Sequence, residues 1–309
     1  MDILADVLGN LRFKGTVLCQ SEFTAPWGVH WEGRTNRAGF FMVVRGGCFM
    51  ECGDLKPVSL APGDFVMSPR AMGYVLRDSM SSPVMRFDDV LAAAEVRSIH
   101  RAIRHGGGGT ATKIIMGCFD LDTSSENPFI RSLPDFVFVG AEDLQAEPWL
   151  ETSLRFLSAE CAADKLGASI TVTGLTELIF IQAIRVHMAR EDRQQSKPGW
   201  LNAVGDPQIG SVLCAIHERP DFDWTVASLA QVGKMSRSAF AAKFRALVDM
   251  TPLDYLTEWR IYRARKLLRA GQDSLSEIAC AVGYQSEAAF SKAFKRSTGE
   301  TPGAFRRSK

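Results

Sequence analysis

Two short segments near the C-terminus carry side chains suited to reading a nucleic acid. In residues 236–249, Phe240 and Phe244 lie four apart, so on a helix they share one face and point together into a core. The same periodicity turns Arg237, Ser238, Ala241 and Ala242 outward and puts Arg245 beside the rim. In residues 286–299, Phe290 and Phe294 do likewise, exposing Glu287, Ala288, Ser291, Lys292 and Lys295. This is the chemistry of groove readout. An arginine fork bonds guanine O6 and N7, a serine hydroxyl takes either base type, an alanine meets a thymine methyl, and a glutamate accepts from a cytosine amino group. Arg245, Lys295 and Arg296 suit phosphate oxygens, which set register without carrying sequence. Each charged residue also fits a solvated helix face, and Glu287 is the poorest reader because phosphates repel it unless it finds its cytosine.

Such side chains work only if two helices are held at a fixed separation, and the surrounding sequence supplies the supports twice. Asp206-Pro207 is a cap followed by a proline suited to the first helical turn, opening a helix to about Glu218. Thr225 caps a short helix through Leu229, Ala230 and Val232, residues 233–235 make a turn, and Ser236 caps the next helix. The arrangement then recurs. Leu229-Ala230 matches Ile278-Ala279 at an offset of 49, and Phe240, Phe244, Thr251-Pro252 and Tyr255 match Phe290, Phe294, Thr301-Pro302 and Phe305 at 50. The extra residue falls in the turn at Gly283-Tyr284-Gln285, where a loop absorbs it. Ser274 with Glu277 forms a capping box, and Ser286 caps the second helix of that unit. Between the units, Thr251-Pro252 opens a helix to about Leu268 with Leu253, Leu256, Ile261, Ala264 and Leu268 on its buried side. A strut of roughly 25 Å results, at ~1.5 Å per residue. With the flanking units it can hold two second helices about one DNA turn, ~34 Å, apart.

These residues resemble the AraC/XylS family of transcription regulators. The resemblance covers about residues 207–307 and rests on Leu229-Ala230, the run from Met235 to Phe240, Phe244, Thr251-Pro252, Tyr255-Leu256 with Arg260 and Ala264, Ile278-Ala279, Val282-Gly283-Tyr284, Phe290, Phe294-Lys295, Gly299 and Thr301-Pro302. Asp249 stands where the family usually has a glycine, in a left-handed cap that Asp tolerates better than most residues. The resemblance implies an all-α domain of two helix-turn-helix units binding double-stranded DNA, with regulation by recruitment of RNA polymerase. An activator is the expected form.

The rest of the chain differs in charge and pattern. Residues 207–309 carry 16 Lys/Arg against 10 Asp/Glu, a balance of +6, which leaves −5 for residues 1–206. Only the C-terminal third is attracted to phosphate, and the modest +6 disfavours an architectural protein indifferent to sequence. Residues 40–44, 48–52, 55–60 and 65–68 are short apolar runs separated by turn signals, with another at 113–119, as in an antiparallel barrel or double-sheet roll. The run Gly106 to Gly109 reads as a flexible loop, and without a following Lys-Ser/Thr it is no nucleotide cradle. After Pro148, Leu150, Leu154, Leu157 and Cys161 form a seam on one helix, and a second helix over about 173–190 is apolar on most sides. That hairpin packs within its domain and is a candidate homodimer interface. Residues 191–205 read as a polar linker.

The strand pattern around Leu60-Ala61-Pro62-Gly63-Asp64, Pro69 and Gly73-Tyr74, with Ala25-Pro26-Trp27-Gly28 and Leu133-Pro134, is similar to the cupin roll that serves as regulatory domain in many AraC-type proteins. The fold expected is therefore α+β in two domains. Residues 1–190 form a cupin-like sensing and dimerising roll with a helical hairpin, and residues 206–309 the double helix-turn-helix. A small organic effector in the roll is expected, with Trp27, Phe41 and Met67 as wall candidates, although core packing explains them equally well. The His-x-His cluster of metal-binding cupins is missing; only His30-Trp31-Glu32 is vaguely similar, and Tyr74 stands where the last His belongs. No metal, no cofactor and no enzymatic activity are expected, the alternative being a cupin-type metal enzyme fused to a DNA-binding module. Seven scattered cysteines fit reduced thiols; Cys48 and Cys52, ~13 Å apart on a straight strand, are too distant for a disulfide. The acidic N-terminus and the lack of a long apolar run point to a cytoplasmic protein without a membrane segment.

Overall fold

The computed structural model describes residues 13–33, 37–53, 56–93, 103–121, 130, 133–142, 148–163, 166–194 and 199–307. They divide into two compact units, one built from residues 199–307 and the other from most of the described residues up to 194.

In the N-terminal unit the strands are β1 (Phe13–Thr24), β2 (Gly28–Trp31), β3 (Arg37–Arg45), β4 (Cys48–Glu51), β5 (Val58–Leu60), β6 (Phe65–Ser68), β7 (Tyr74–Arg77), β8 (Met85–Arg86), β9 (Ile103–Gly106), β10 (Ala111–Leu121) and β11 (Val137–Val139). They form a six-stranded sheet ordered β11-β6-β3-β10-β1-β9 and a five-stranded sheet ordered β5-β4-β7-β2-β8. The expected antiparallel pattern needs one amendment, because β9 runs parallel to β1 and β8 parallel to β2. Alternation sorts the side chains. On β3 and β6, Phe41, Val43 and Val66 enter the core with Trp27, Tyr74 and Leu76, whereas Phe40 stacks on Phe65 at 5.9 Å on the other face. The Pro62-Gly63-Asp64 turn is held by the Asp64 carboxylate, which accepts from the amides of Ala61 at 2.8 Å and Ala141 at 3.1 Å.

The glycines 106–109 are not the flexible loop that their composition suggests. The amides of Gly107 and Gly109 donate to the carbonyls of Thr24 and Ala25 at 2.8 and 2.9 Å, and that of Gly108 to Thr24 Oγ1 at 2.9 Å. A Cβ on Gly106 would lie 1.9 Å from the Thr24 carbonyl oxygen. Close backbone approach at Gly106, Gly107 and Gly109, with positive φ at Gly106 (127°) and Gly108 (87°), requires glycine here.

Helix α1 (Phe87–Ala93) follows β8, and α2 (Pro148–Ala163) and α3 (Ala168–Gln194) form the hairpin, α3 lying against β1 and β11. Leu154 and Leu157 are fully buried, so the described part of the predicted seam packs inside the unit, while Leu150 and Cys161 lie outside the described side chains. Part of the stretch read as a linker is helical. Residues 191–194 end α3, residues 195–198 lie outside the described residues, and α4 (Trp200–Gly205) is a short helix with Trp200 buried. A composition-based reading missed α4 because its anchor is one aromatic side chain.

The C-terminal unit is all helix: α5 (Pro207–Glu218), α6 (Val226–Val232), α7 (Arg237–Val248), α8 (Pro252–Ala270), α9 (Leu275–Ala281), α10 (Glu287–Thr298) and α11 (Pro302–Arg307). Trp200 Nε1 donates to the Tyr255 hydroxyl at 2.9 Å, the hydroxyl lies 2.7 Å from His217 Nε2, and His217 stacks on Trp259 at 3.8 Å. That polar chain ties α4, α5 and α8 together. On α8 the expected buried face holds except at Leu253, which is exposed, because Tyr255 and Trp259 occupy the inner side of its first turns. Among the described residues no helix is long and apolar enough to cross a membrane.

Candidate nucleic-acid interface

The two helices that carry the candidate readers are built alike, feature by feature. Ser236 and Ser286 each take an extended backbone and accept from the amide three residues on, Ala239 at 3.4 Å and Ala289 at 3.2 Å. Each helix has twelve residues and ends on a left-handed residue, Asp249 at φ 59° and Gly299 at φ 85°. Phe240 meets Phe244 at 5.7 Å and 66°, and Phe290 meets Phe294 at 5.7 Å and 62°. A third ring closes each corner edge-on, Tyr255 on Phe244 at 5.9 Å and Phe305 on Phe294 at 5.5 Å. The helices that precede them, α6 and α9, both start in capping boxes, Thr225 with Ser228 and Ser274 with Glu277. Buried rings thus fix the rotation of α7 and α10 about their axes. Rotation decides which residues face out.

On α7, Arg237, Ser238, Ala242 and Arg245 are exposed and Ala241 half-buried; on α10, Glu287, Ala288, Lys292 and Lys295 are exposed and Ser291 half-buried. All ten candidates lie on the outer faces of the two helices, with the half-buried pair at equivalent positions of the repeat. Arg296 is exposed as well. Lys243, also a cation on α7, is drawn backwards. Its Nζ lies 2.7 Å from Asp206 Oδ2 and 3.0 Å from Gln208 Oε1 at the start of α5. Burial alone raises the Asp206 carboxyl, but the amides of Ile209 and Gln208 and the Lys243 ammonium outweigh it and hold it below the ordinary value. Helical periodicity could not reveal this, because the partner comes from another helix.

The N-terminal unit contains a cavity of about 300 Å³ whose lining includes His30, Trp31, Glu32, Arg37, Met72, Tyr74, Arg86, Phe87, Leu91, Met116 and Cys118. Trp31 is sandwiched between Tyr74 at 5.3 Å and Phe87 at 5.1 Å, and Glu32 pairs with Arg86 at 2.9 Å. Trp27, Phe41 and Met67 are not among its lining residues. Trp27 is buried against Phe23 at 4.7 Å, Phe41 against Tyr74 at 5.3 Å, and Met67 sits opposite Phe40 in the β3–β6 register, on the far side of the sheet from Phe41. His30, Glu32 and Tyr74, at the positions where the sequence lacks the His cluster of metal-binding cupins, all line the cavity. Among the described residues no group of three His, Cys, Asp or Glu is placed to hold a metal ion. Cys48 is buried, and burial with the Asp64 charge pushes its thiol up to about 12.

A family model described as a cupin matches residues 2–189, and one described as a helix-turn-helix domain matches residues 229–308. An AraC-like transcription regulator of Streptomyces lividans is 32% identical over 308 residues, covering 99% of this chain and 98% of its own. The chain belongs to the AraC-type family of transcription regulators. A second AraC-like regulator, from Streptomyces antibioticus, is 33% identical and covers 99% of each chain. The transcriptional regulator AlkR of Acinetobacter baylyi is 36% identical over 187 residues, 60% of either chain. The DNA-binding domain of AdpA, solved in complex with a target DNA, is 32% identical, covers 33% of this chain and 92% of its own, and superposes with a TM-score of 0.32. In this AraC-type chain, a cupin domain precedes a helix-turn-helix DNA-binding domain, and its function is regulation of transcription.

Proposed function

We propose that this regulator reads a two-part DNA site, placing α7 and α10 in successive major-groove segments. Arg237, Ser238, Ala241, Ala242, Glu287, Ala288 and Ser291 face base edges, while Arg245, Lys292 and Lys295 lie along the backbones. The observation that carries this reading is the pair of outward faces fixed by matching ring corners at the same 5.7 Å spacing. The chain acts as a homodimer in the cytoplasm; it activates transcription by recruiting RNA polymerase, the part of this reading that its family resemblance implies. Exposed Ile170 and Leu178, two helical turns apart on α3 with Gly174 between them, supply an apolar stripe for the second copy. The controlling effector occupies the cavity in the N-terminal roll, which replaces Trp27, Phe41 and Met67 as the binding site. A wall of three stacked rings with Met72, Met116 and Leu91 suits a small, mostly apolar molecule, and the Glu32–Arg86 pair offers it a polar end.

The test is selection of duplexes from random sequence by the full-length protein, followed by footprinting and titration at several salt concentrations. A two-part consensus protected on one side of the duplex, with affinity falling steeply as salt rises, is expected. A selected pool indistinguishable from the input, or an affinity flat between low and physiological salt, would defeat the assignment.

A further inference from the structure

Helix α8 belongs to two cores. Its first half packs through Tyr255 on Phe244 and through Trp259 on His217. Its second half packs through Ile261, Ala264 and Leu268 with Ile278, Val282, Phe290 and Phe294. Arg260 stands at the handover. Its Nε donates to the Pro220 carbonyl at 2.7 Å and its Nη2 to the Phe222 carbonyl at 2.8 Å, so the fork holds the loop that leads into α6 of the first helix-turn-helix. The guanidinium carbon also lies 5.6 Å from the centre of the Tyr284 ring, in the turn of the second helix-turn-helix. Gly283, at φ +82°, completes the junction: a Cβ there would come 2.6 Å from Arg260 Nη2 and 2.7 Å from the Pro220 carbonyl oxygen. A loop of one unit and the turn of the other therefore meet around a single side chain, two residues before the Ser286 cap of α10.

Two readers at the ends of one 19-residue helix, about 28 Å long, are only as well spaced as that helix is stiff. One base pair of error matters. It displaces the second contact by ~3.4 Å and rotates it by ~35° around the duplex, enough to part a bidentate contact from its base. A brace across the middle of α8 removes that freedom, and an arginine fits it because its planar fork can hold two carbonyls while its face lies on a ring.

We propose that Arg260, held between the Pro220 and Phe222 carbonyls and the Tyr284 ring, is a positioning residue that sets the spacing between the two DNA segments the protein reads. The proposal rests on both α7 and α10 engaging DNA. The experiment uses full-length protein, wild type, Arg260→Gln and Tyr284→Leu, with a duplex selected by the wild type and versions of it carrying one base pair added or removed between the two protected segments. The wild type should lose at least tenfold in affinity on either change of spacing, and the variants less than threefold. Equal weakening of both variants on every duplex, with the tenfold penalty intact, would mean that Arg260 supports the fold without setting the spacing, and would overturn the proposal. If Arg260→Gln does not fold by circular dichroism, Tyr284→Leu keeps both carbonyl bonds and decides the matter by the same comparison. Protection of a single groove segment by the wild type would instead overturn the two-helix reading and the spacing role with it, whereas an unaltered spacing penalty in the variants, with two segments protected, would overturn the role of Arg260 alone.

Discussion

Replacing Arg237 and Lys295 by alanine should separate base reading from backbone anchoring within one protein. Both side chains are exposed, and neither has a hydrogen-bond or ion-pair partner among the described residues, so neither loss opens a cavity or strands a buried group. The folding cost is correspondingly small. Arg237 is the first residue of α7, where a cation opposes the helix dipole, so its removal is neutral or stabilising by about 0.3 kcal/mol. Lys295 lies in the last turn of α10, where its loss costs about 0.3–1 kcal/mol of stability at low salt. Binding should respond much more. A bidentate guanine contact is worth about 1–3 kcal/mol, so Arg237→Ala should weaken the selected duplex by about 5- to 150-fold and flatten the preference at one base pair. A phosphate contact contributes ~0.9 to the slope of log affinity against log salt. Lys295→Ala should lower that slope by about one and weaken all duplexes alike, and a single such contact changes affinity about 3.5-fold between 50 and 200 mM salt. Fluorescence anisotropy on the selected duplex, on single-base variants and across a salt series measures all of these quantities. The reasoning fails if Arg237→Ala weakens every duplex equally while Lys295→Ala or Lys292→Ala shifts the preferred sequence, for then the base and backbone assignments are reversed.

Three further outcomes follow from the packing. Asp206→Ala removes the cap of α5 and the partner of Lys243, and should cost about 0.5–2 kcal/mol at pH 7 in urea melts. Because its folded pKa is depressed, Asp206 contributes stability above its unfolded value near ~3.9 that is lost as pH falls through the folded value, so the gap between wild type and variant should shrink below about pH 4; an undiminished gap at pH 3 would contradict the ion pair. Cys48, pushed up to about 12, is thiolate in only ~1 molecule in 10⁴ at pH 8 and should resist alkylation of the native protein while exposed Cys280 reacts, as peptide mapping would show; comparable labelling would mean that the roll opens. Ile170→Glu combined with Leu178→Glu should give a monomer with unchanged circular dichroism, and sedimentation of wild type as a monomer at micromolar concentration would remove the α3 interface.

Local, periodic signals were legible from the sequence because nearest neighbours along the chain settle them. The caps at Asp206, Thr225, Ser236, Ser274 and Ser286 form as read, since each is a contact between residues two or three apart. The ring pairs Phe240–Phe244 and Phe290–Phe294 lie one helical turn apart, so their inward rotation, and with it the outward face of the ten candidate readers, needed no knowledge of the rest of the fold. The left-handed Asp249 is as the family resemblance implied, since a glycine usually stands at that helix end. What stayed hidden depends on partners far apart in sequence. Trp27, Phe41 and Met67 are as aromatic or apolar as Trp31, Tyr74 and Met116, yet only the pairing of two sheets decides which side chains fill the core and which line the cavity. Gly106 to Gly109 read as a loose loop because the backbone of Thr24 and Ala25, some eighty residues earlier, is what they fit against. The tie of Lys243 to Asp206 exists only because the start of α5 lies alongside α7, and Arg260, forty residues from Pro220, acquired a role only when α8 laid it between the two helix-turn-helix motifs. Helix faces follow from a period of 3.6 residues, which the chain carries within itself, whereas long-range partners are chosen by the packing of whole elements against one another.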